Sequence, residues 1–378
     1  MPRIFPAFLE RFRRITSAGN YIPEIDGLRF VSIFWVVVLL HGMNLVNQKI
    51  FAGSMIRETY WLSVFLEGGY GVSLFMVISG FILTLPFIKA RLHNGPRVSL
   101  KKYYLRRLTR LEPPYLAALT IAFILLVVVL RRYSFSELLP HYGASAIYLH
   151  NIVYGENSLV LAIAWSLEIE VQFYLLAPFL SFIFLLKDHL LRRSIFAATI
   201  LLSGIYAYYQ FWNVPVILPN FICYFLAGML LADLYCHPPS FAINEKLGFI
   251  TGLVILAGLP FLISIHSVYL FMIKVVLIFV FFYLVIMNKR LKKLMSGQVI
   301  TIIGGMCYSI YLLHFMIMSA VSEVLRHLPV SGGAWVFIGC LLILILAVLV
   351  ISAVFYKLIE QPCMRKDWYK RVFKKSSG

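Results

Sequence analysis

The chain has 378 residues, 61% of them hydrophobic and only 13% charged. That balance excludes a soluble globular protein and defines an all-α, polytopic integral membrane protein. The formal net charge of +18 does not mark a nucleic-acid binder, because the basic residues sit in short loops between apolar stretches, where membrane topology places them.

The opening stretch MPRIFPAFLERFRRITSAGN carries Arg3, Arg11, Arg13 and Arg14 but no apolar core of signal-peptide length. The first hydrophobic stretch is therefore expected to serve as an uncleaved anchor. Apolar segments of spanning or near-spanning length follow at 28–46, 71–88, 114–130, 164–186, 194–212, 216–235, 247–264, 268–287, 299–320 and 334–356, which makes ten predicted spans. An eleventh stretch, 142–155, is shorter and contains His150 and Asn151. If it does not cross, 28 of the 34 Lys and Arg fall on one side together with both termini, which marks that side as cytosolic. Lys49, Arg57, Arg131, Arg132 and Arg326 lie opposite, and Lys274 lies inside a span. The stretch is accordingly expected to be re-entrant or interfacial, with other helices covering its backbone. No repeat or low-complexity tract divides the chain, so one membrane domain, 21–362, is expected between a basic cytosolic segment, 1–20, and a basic cytosolic tail, 363–378. The five cysteines, Cys223, Cys236, Cys307, Cys340 and Cys363, have neither metal-site nor disulfide spacing and read as small apolar residues, and no metal site is expected.

Polar residues inside the apolar spans are the candidates for chemistry, because a group that is costly in hydrocarbon is kept for a reason. The first is His41, in FVSIFWVVVLLHGMN. Arg29 stands twelve residues earlier, about 18 Å away at helical rise, which puts a histidine in the outer half of the span above a cation at the cytosolic mouth. GVSLFMVISGFIL places Ser79 and Gly80 mid-helix, where small residues let helices approach closely. RRLTRLEPPY carries Arg106, Arg107 and Arg110, which read equally as a topology signal and as a grip on anionic phosphates. WSLEIEVQFYLLAP brings Trp165, Ser166, Glu168 and Glu170 near the outer boundary, and a buried glutamate beside a histidine orients and charge-stabilises the imidazole. YSIYLLHFMIM carries Tyr308 and a second histidine, His314, which reads as a packing residue or a second functional imidazole. IEQP, from Ile359, reads as a helix stop.

Taken in order, PEIDGLRFVSIFWVVVLLH, GVSLFMVISGFIL, RRLTRLEPPY, WSLEIEVQFYLLAP, YSIYLLH and IEQP resemble the acyltransferase-3 family of bacterial integral membrane acyltransferases, from about Tyr21 to Pro362. The resemblance implies transfer of an acyl group, usually acetyl, from cytosolic acetyl-CoA to a hydroxyl of a surface or secreted carbohydrate or glycolipid, in the bacterial cytoplasmic (inner) membrane. It implies acetyl-CoA as co-substrate with no permanently bound cofactor, catalytic work by His41 with Arg29 and Glu170, and donor binding by Arg107 and Arg110 with neighbouring Arg106. The chain also resembles the family's stand-alone form, without a hydrolase-like domain.

One departure from the family carries a structural prediction. Relatives commonly have ten residues between the arginine and the histidine, and here there are eleven. On an ideal helix that step turns about 120° beyond whole turns, against about 20° for the usual one. A π-bulge, which absorbs one residue, is therefore expected between Arg29 and His41. The chemistry expected is direct transfer, with His41, oriented by Glu170, as general base; an acyl-histidine relay stays open. The alternatives are a polytopic transporter or flippase for a glycan or glycolipid, and a structural partner in a glycan-export complex. Against the former, the sequence has neither inverted halves nor matching broken helices.

Overall fold

The computed structural model describes residues 10–15, 21–51, 64, 67–92, 95–210, 216–239, 244–262, 267–327, 333–365 and 368. Much of the basic N-terminal segment and nearly all of the basic tail lie outside them. Among the described residues, all regular structure is helical. Eight helices are long and apolar enough to cross a bilayer: Pro23–Ile50, Tyr70–Leu92, Leu100–Val129, Ala162–Leu185, His189–Gln210, Val268–Met287, Cys307–Arg326 and Ala334–Cys363. The chain is a multi-span membrane protein.

The predicted spans 216–235 and 247–264 are present as shorter helices, Ile222–Cys236 and Glu245–Gly258. The first starts late because the chain enters through an extended Ile217 and a tight turn at Leu218–Asn220. The second gives way to a tight turn at Leu259–Phe261, where Pro260 cannot extend the helix. Predicted span 299–320, one apolar run in the sequence, is two helices, Gln298–Gly305 and Cys307–Arg326. The stretch 142–155 forms no single rod. It is split between Phe135–Ala146 and His150–Tyr154, of 12 and 5 residues, each too short to span. A capping box between Ser134 and Glu137 opens the first, and Gly155, at φ 71°, closes the second in the left-handed conformation.

The chain gathers into two compact units, one of residues 1–71, 107–118 and 295–378, the other of 72–106 and 119–294. In the first, Pro23–Phe34 packs on Gln298–Gly305, and Cys307–Arg326 packs on Ala334–Phe355 and on the continuation of the first helix. Glycine makes the first pairing possible: a Cβ on Gly27 would run into the Met295 carbonyl, and one on Gly304 into that of Asp26. Leu28, Val46, Leu312, Met318, Leu344 and Val348 are wholly buried. Lipid tails are as apolar as these side chains, so close packing rather than escape from water holds them.

In the second unit, His189–Gln210, Ile222–Cys236 and Val268–Met287 pack on one another. Gly80 and Gly228 allow Tyr70–Leu92 to cross Ile222–Cys236 closely, since a Cβ on either would meet the carbonyl of Phe225 or Val77. Arg192 and Arg193 are more than topology charges. Both grip the buried Asp233, Arg192 Nη2 at 2.5 Å and Arg193 Nε at 2.7 Å.

Candidate active site

The helix carrying His41 is widened where the extra residue predicts it. It is α-helical over Pro23–Phe34, π-helical over Trp35–Met43, and π-helical again over Val46–Ile50. His41 is half-buried in the wider stretch, and its ring faces the wholly buried His314 of Cys307–Arg326. His41 Nδ1 and His314 Nε2 are 3.1 Å apart, with ring centroids 4.9 Å apart. The edge of Phe315 supports the His41 ring at 5.1 Å.

The partners of His314 set the protons. Its Nδ1 lies 2.7 Å from the Tyr311 carbonyl and 3.2 Å from that of Ile310. A carbonyl only accepts, so His314 Nδ1 carries hydrogen and, in the neutral ring, Nε2 is an acceptor. His41 Nδ1 must then donate to it. That leaves His41 Nε2 with a lone pair, the form a general base needs.

Charge collects at the other end of the first helix. Asp26, 1% exposed, accepts from Arg14 Nη1 at 2.9 Å and from Arg29 Nη1 at 2.5 Å, both on Oδ1. Tyr21 also bonds to it; burial first, and the neighbouring Asp26 charge second, push the Tyr21 hydroxyl up to about 12, so it stays protonated at neutral pH. Arg110 lies within electrostatic reach of Asp26, Glu360, Arg14 and Arg107. Glu360 is buried and accepts from Ser309 Oγ at 2.5 Å and Ser309 N at 3.0 Å. Arg14, Arg29 and Arg110 thus gather about Asp26 and Glu360 in one unit, with Arg107 beside Arg110. Arg107 and Arg110 are half-buried, whereas Arg106 is exposed. Tyr308 donates to the Leu111 carbonyl at 2.9 Å, which ties the arginine-bearing helix to the histidine-bearing one.

The second unit holds the remaining candidates. Ser79 donates to Glu170, so Ser79 does more than provide space. Glu168 is buried and accepts the Asn151 N–H at 2.9 Å, Ser166 is buried, and Trp165 packs on Phe221 with centroids 5.5 Å apart. The stretch around 142–155 is thereby fastened to the helix that opens at Trp165. Within that stretch His141 Nδ1 and His150 Nε2 are 2.8 Å apart, His150 Nδ1 is 3.1 Å from the Glu156 carbonyl, and Tyr154 stacks on His141 at 4.2 Å.

The ring bonded to His41 Nδ1 is His314, a pairing that the sequence did not propose. The helix stop predicted at IEQP falls one residue past the motif, at Cys363. The last span runs on through π-helical Tyr356–Glu360 into Gln361–Cys363, with Pro362 in the first positions of the new turn, where its missing N–H costs nothing. Sequence reasoning also missed Asp26, Ser309 and Glu360, and took Arg14 for a topology charge. The signals were present: an acid three residues before Arg29 and an acid at the end of a long apolar run are both expensive near hydrocarbon. All five cysteines are unbridged, and among the described residues no group of three or more His, Cys, Asp or Glu could hold a metal.

A multi-span bundle that keeps an oriented pair of imidazoles inside it has the build of a membrane-embedded enzyme. The chain belongs to the acyltransferase family whose model, described as "Acyltransferase domain", matches residues 22–356. It is similar to O-acetyltransferase OatA of Staphylococcus aureus (strain NCTC 8325 / PS 47), 26% identical over 96% of this chain and 60% of that protein. It is also similar to peptidoglycan O-acetyltransferase OatA of Listeria monocytogenes serovar 1/2a, 25% identical over 96% of this chain and 58% of that protein. The chain therefore spans about three-fifths of the length of these curated relatives. No solved structure matches it.

Proposed function

We propose that this protein is a membrane O-acyltransferase that moves an acetyl or other short acyl group from cytosolic acyl-CoA to a hydroxyl of a surface or secreted carbohydrate. The observation that carries the proposal is the His41–His314 pair, which leaves a half-buried His41 Nε2 free to accept a proton. In the step proposed, the acceptor hydroxyl gives its proton to His41 Nε2 as its oxygen bonds to the thioester carbon. The C–S bond then breaks, and the departing thiolate of CoA takes the proton back from His41. General-base help of this kind is worth about 10²–10⁴-fold. Arg29, Arg107 and Arg110 would hold the donor's phosphates, as charge-assisted bonds from arginine do well. The cation distribution supports cytosolic termini and a cytoplasmic-membrane location. The names of the two relatives make acetyl the first acyl group to test, and that of the Listeria relative makes peptidoglycan the first acceptor. Glu170 retains the functional role implied by its motif, and replacement with Gln tests it separately.

The test combines acetyl-CoA turnover by purified protein in proteoliposomes with mass analysis of surface glycans from cells with and without the protein. Wild type should consume acetyl-CoA and add acetyl groups to glycan; His41→Ala should do neither while still inserting and binding CoA. Substantial glycan acetylation by His41→Asn or His41→Gln would sink the general-base assignment. Absence of any thioester consumption by wild type, with glycan transport intact, would favour the transporter alternative.

A further inference from the structure

We propose that Arg14, in the basic N-terminal segment, is a ligand of the donor's phosphates and that Asp26 occupies its guanidinium until the donor arrives. This rests on the acyl-CoA reading above. Residues 11–13 of the segment are strapped in place: Gln361 Nε2 donates to the carbonyls of Arg11 at 2.9 Å and Arg13 at 3.2 Å, and Lys357 Nζ donates to that of Arg11 at 2.9 Å. The Arg13 guanidinium covers the Tyr21 ring at 5.4 Å. Arg14 is thereby delivered to the same Asp26 oxygen that Arg29 uses, with its side chain 13% exposed.

Arg110 lies within electrostatic range of both Arg14 and Arg107, and a single carboxylate oxygen is shared by Arg14 and Arg29. Arg14 Nε, though buried, finds no acceptor among the described residues. A pyrophosphate or phosphate monoester offers more oxygens and more charge than one carboxylate, and guanidinium takes such groups bidentately. Incoming phosphate oxygens would satisfy Arg14 and Arg29 together and release Asp26.

The two residues give opposite signs on substitution, which separates a ligand from a structural prop. The experiment is calorimetric titration of CoA into the full chain in phosphatidylcholine nanodiscs at several salt concentrations. Arg14→Gln should weaken CoA binding about tenfold or more and flatten its salt dependence, as expected for loss of a charge-assisted contact. Asp26→Asn should tighten CoA binding several-fold, because the competing carboxylate is gone. Wild-type affinity in Arg14→Gln, or weakened binding in Asp26→Asn, overturns the proposal. Repetition in phosphatidylglycerol nanodiscs distinguishes the two phosphate sources: if the Arg14-dependent part of CoA binding disappears there, Arg14 serves lipid headgroups and the proposal fails. A wild-type protein that binds no CoA refutes the acyl-CoA reading itself, whereas tight wild-type binding with Arg14→Gln unchanged refutes only this assignment.

Discussion

Replacing His314 perturbs the proton arrangement at His41 without touching the proposed base. His314→Leu removes the acceptor that lies 3.1 Å from His41 Nδ1. A hydrogen bond between neutral groups has a net worth of about 0.5–1.5 kcal/mol, so loss of orientation alone costs roughly 2–13-fold in rate. Loss of the tautomer costs more. Without His314 the Val36 carbonyl is the remaining acceptor at the His41 ring, and where the proton moves to Nε2 the penalty grows toward the whole general-base contribution of about 10²–10⁴-fold. His314→Gln keeps a carbonyl acceptor and should stay within about tenfold of wild type if that acceptor reaches Nδ1. His314→Lys presents only donors, obliges His41 Nδ1 to accept, and should fall to the level of His41→Ala. The assay is kcat for acetyl transfer in proteoliposomes, with insertion and CoA affinity measured on the same preparations. The expected order is wild type, then Gln, then Leu, then Lys. Wild-type kcat in His314→Leu, or an active His314→Lys, would refute the role of His314 in setting the His41 tautomer.

Asp233 holds Arg192 and Arg193 in a buried triad, so Asp233→Asn leaves buried guanidinium charge uncompensated and should destabilise the protein by about 3–5 kcal/mol; an unchanged melting temperature in detergent would contradict this. His150 faces His141, Tyr154 and the Glu156 carbonyl, and burial first, with the His141 charge adding to it, holds its pKa below the ordinary 6.5. The unfolded state therefore binds the proton more tightly, and the stability His150 contributes is present above about pH 6.5 and lost as pH falls toward the lowered folded value. Hydrogen-exchange protection of residues 135–161, corrected for the intrinsic pH dependence of amide exchange, should fall between pH 7.5 and 5 in wild type but not in His150→Gln, and pH-independent protection in wild type would count against the idea. Deleting Val38 removes one residue from the π-helical stretch and should leave the His41–His314 contact and much of the activity in place, whereas deleting Val31 from the α-helical part should abolish both; equal loss in the two would show that the widened turn is itself required.

Much of the site was legible in the sequence because an ionisable group among apolar residues announces its own cost. His41, Arg29 and the Arg106–Arg110 cluster were found that way, and the widened turn followed from counting one residue too many against the helical repeat. His314 was visible as a second such group, but its sequence separation from His41 of 273 residues gave no hint that the two rings meet. Asp26 and Glu360 escaped notice because each stands beside a motif that has a simpler local explanation, an anchoring arginine in one case and a helix-ending proline in the other.

What the sequence determined by itself is local: which stretches are long and apolar enough to lie in a bilayer, where the cations gather, and where a helix must carry an extra residue. Bilayer thickness and helical rise are constants, so such features need only counting. Tertiary structure decided which side chains share a proton or a charge: His314 on His41, Arg14 and Arg29 on Asp26, Ser309 on Glu360, Ser79 on Glu170. It also decided that the run 299–320 breaks after Gly305 and that Gly304 lies against the Asp26 backbone. In lipid, helices apolar on every face gain nothing from hiding one of them, so their pairing depends on close fit at small residues and on polar partners supplied by other helices. Neither is written in the periodicity of a single segment.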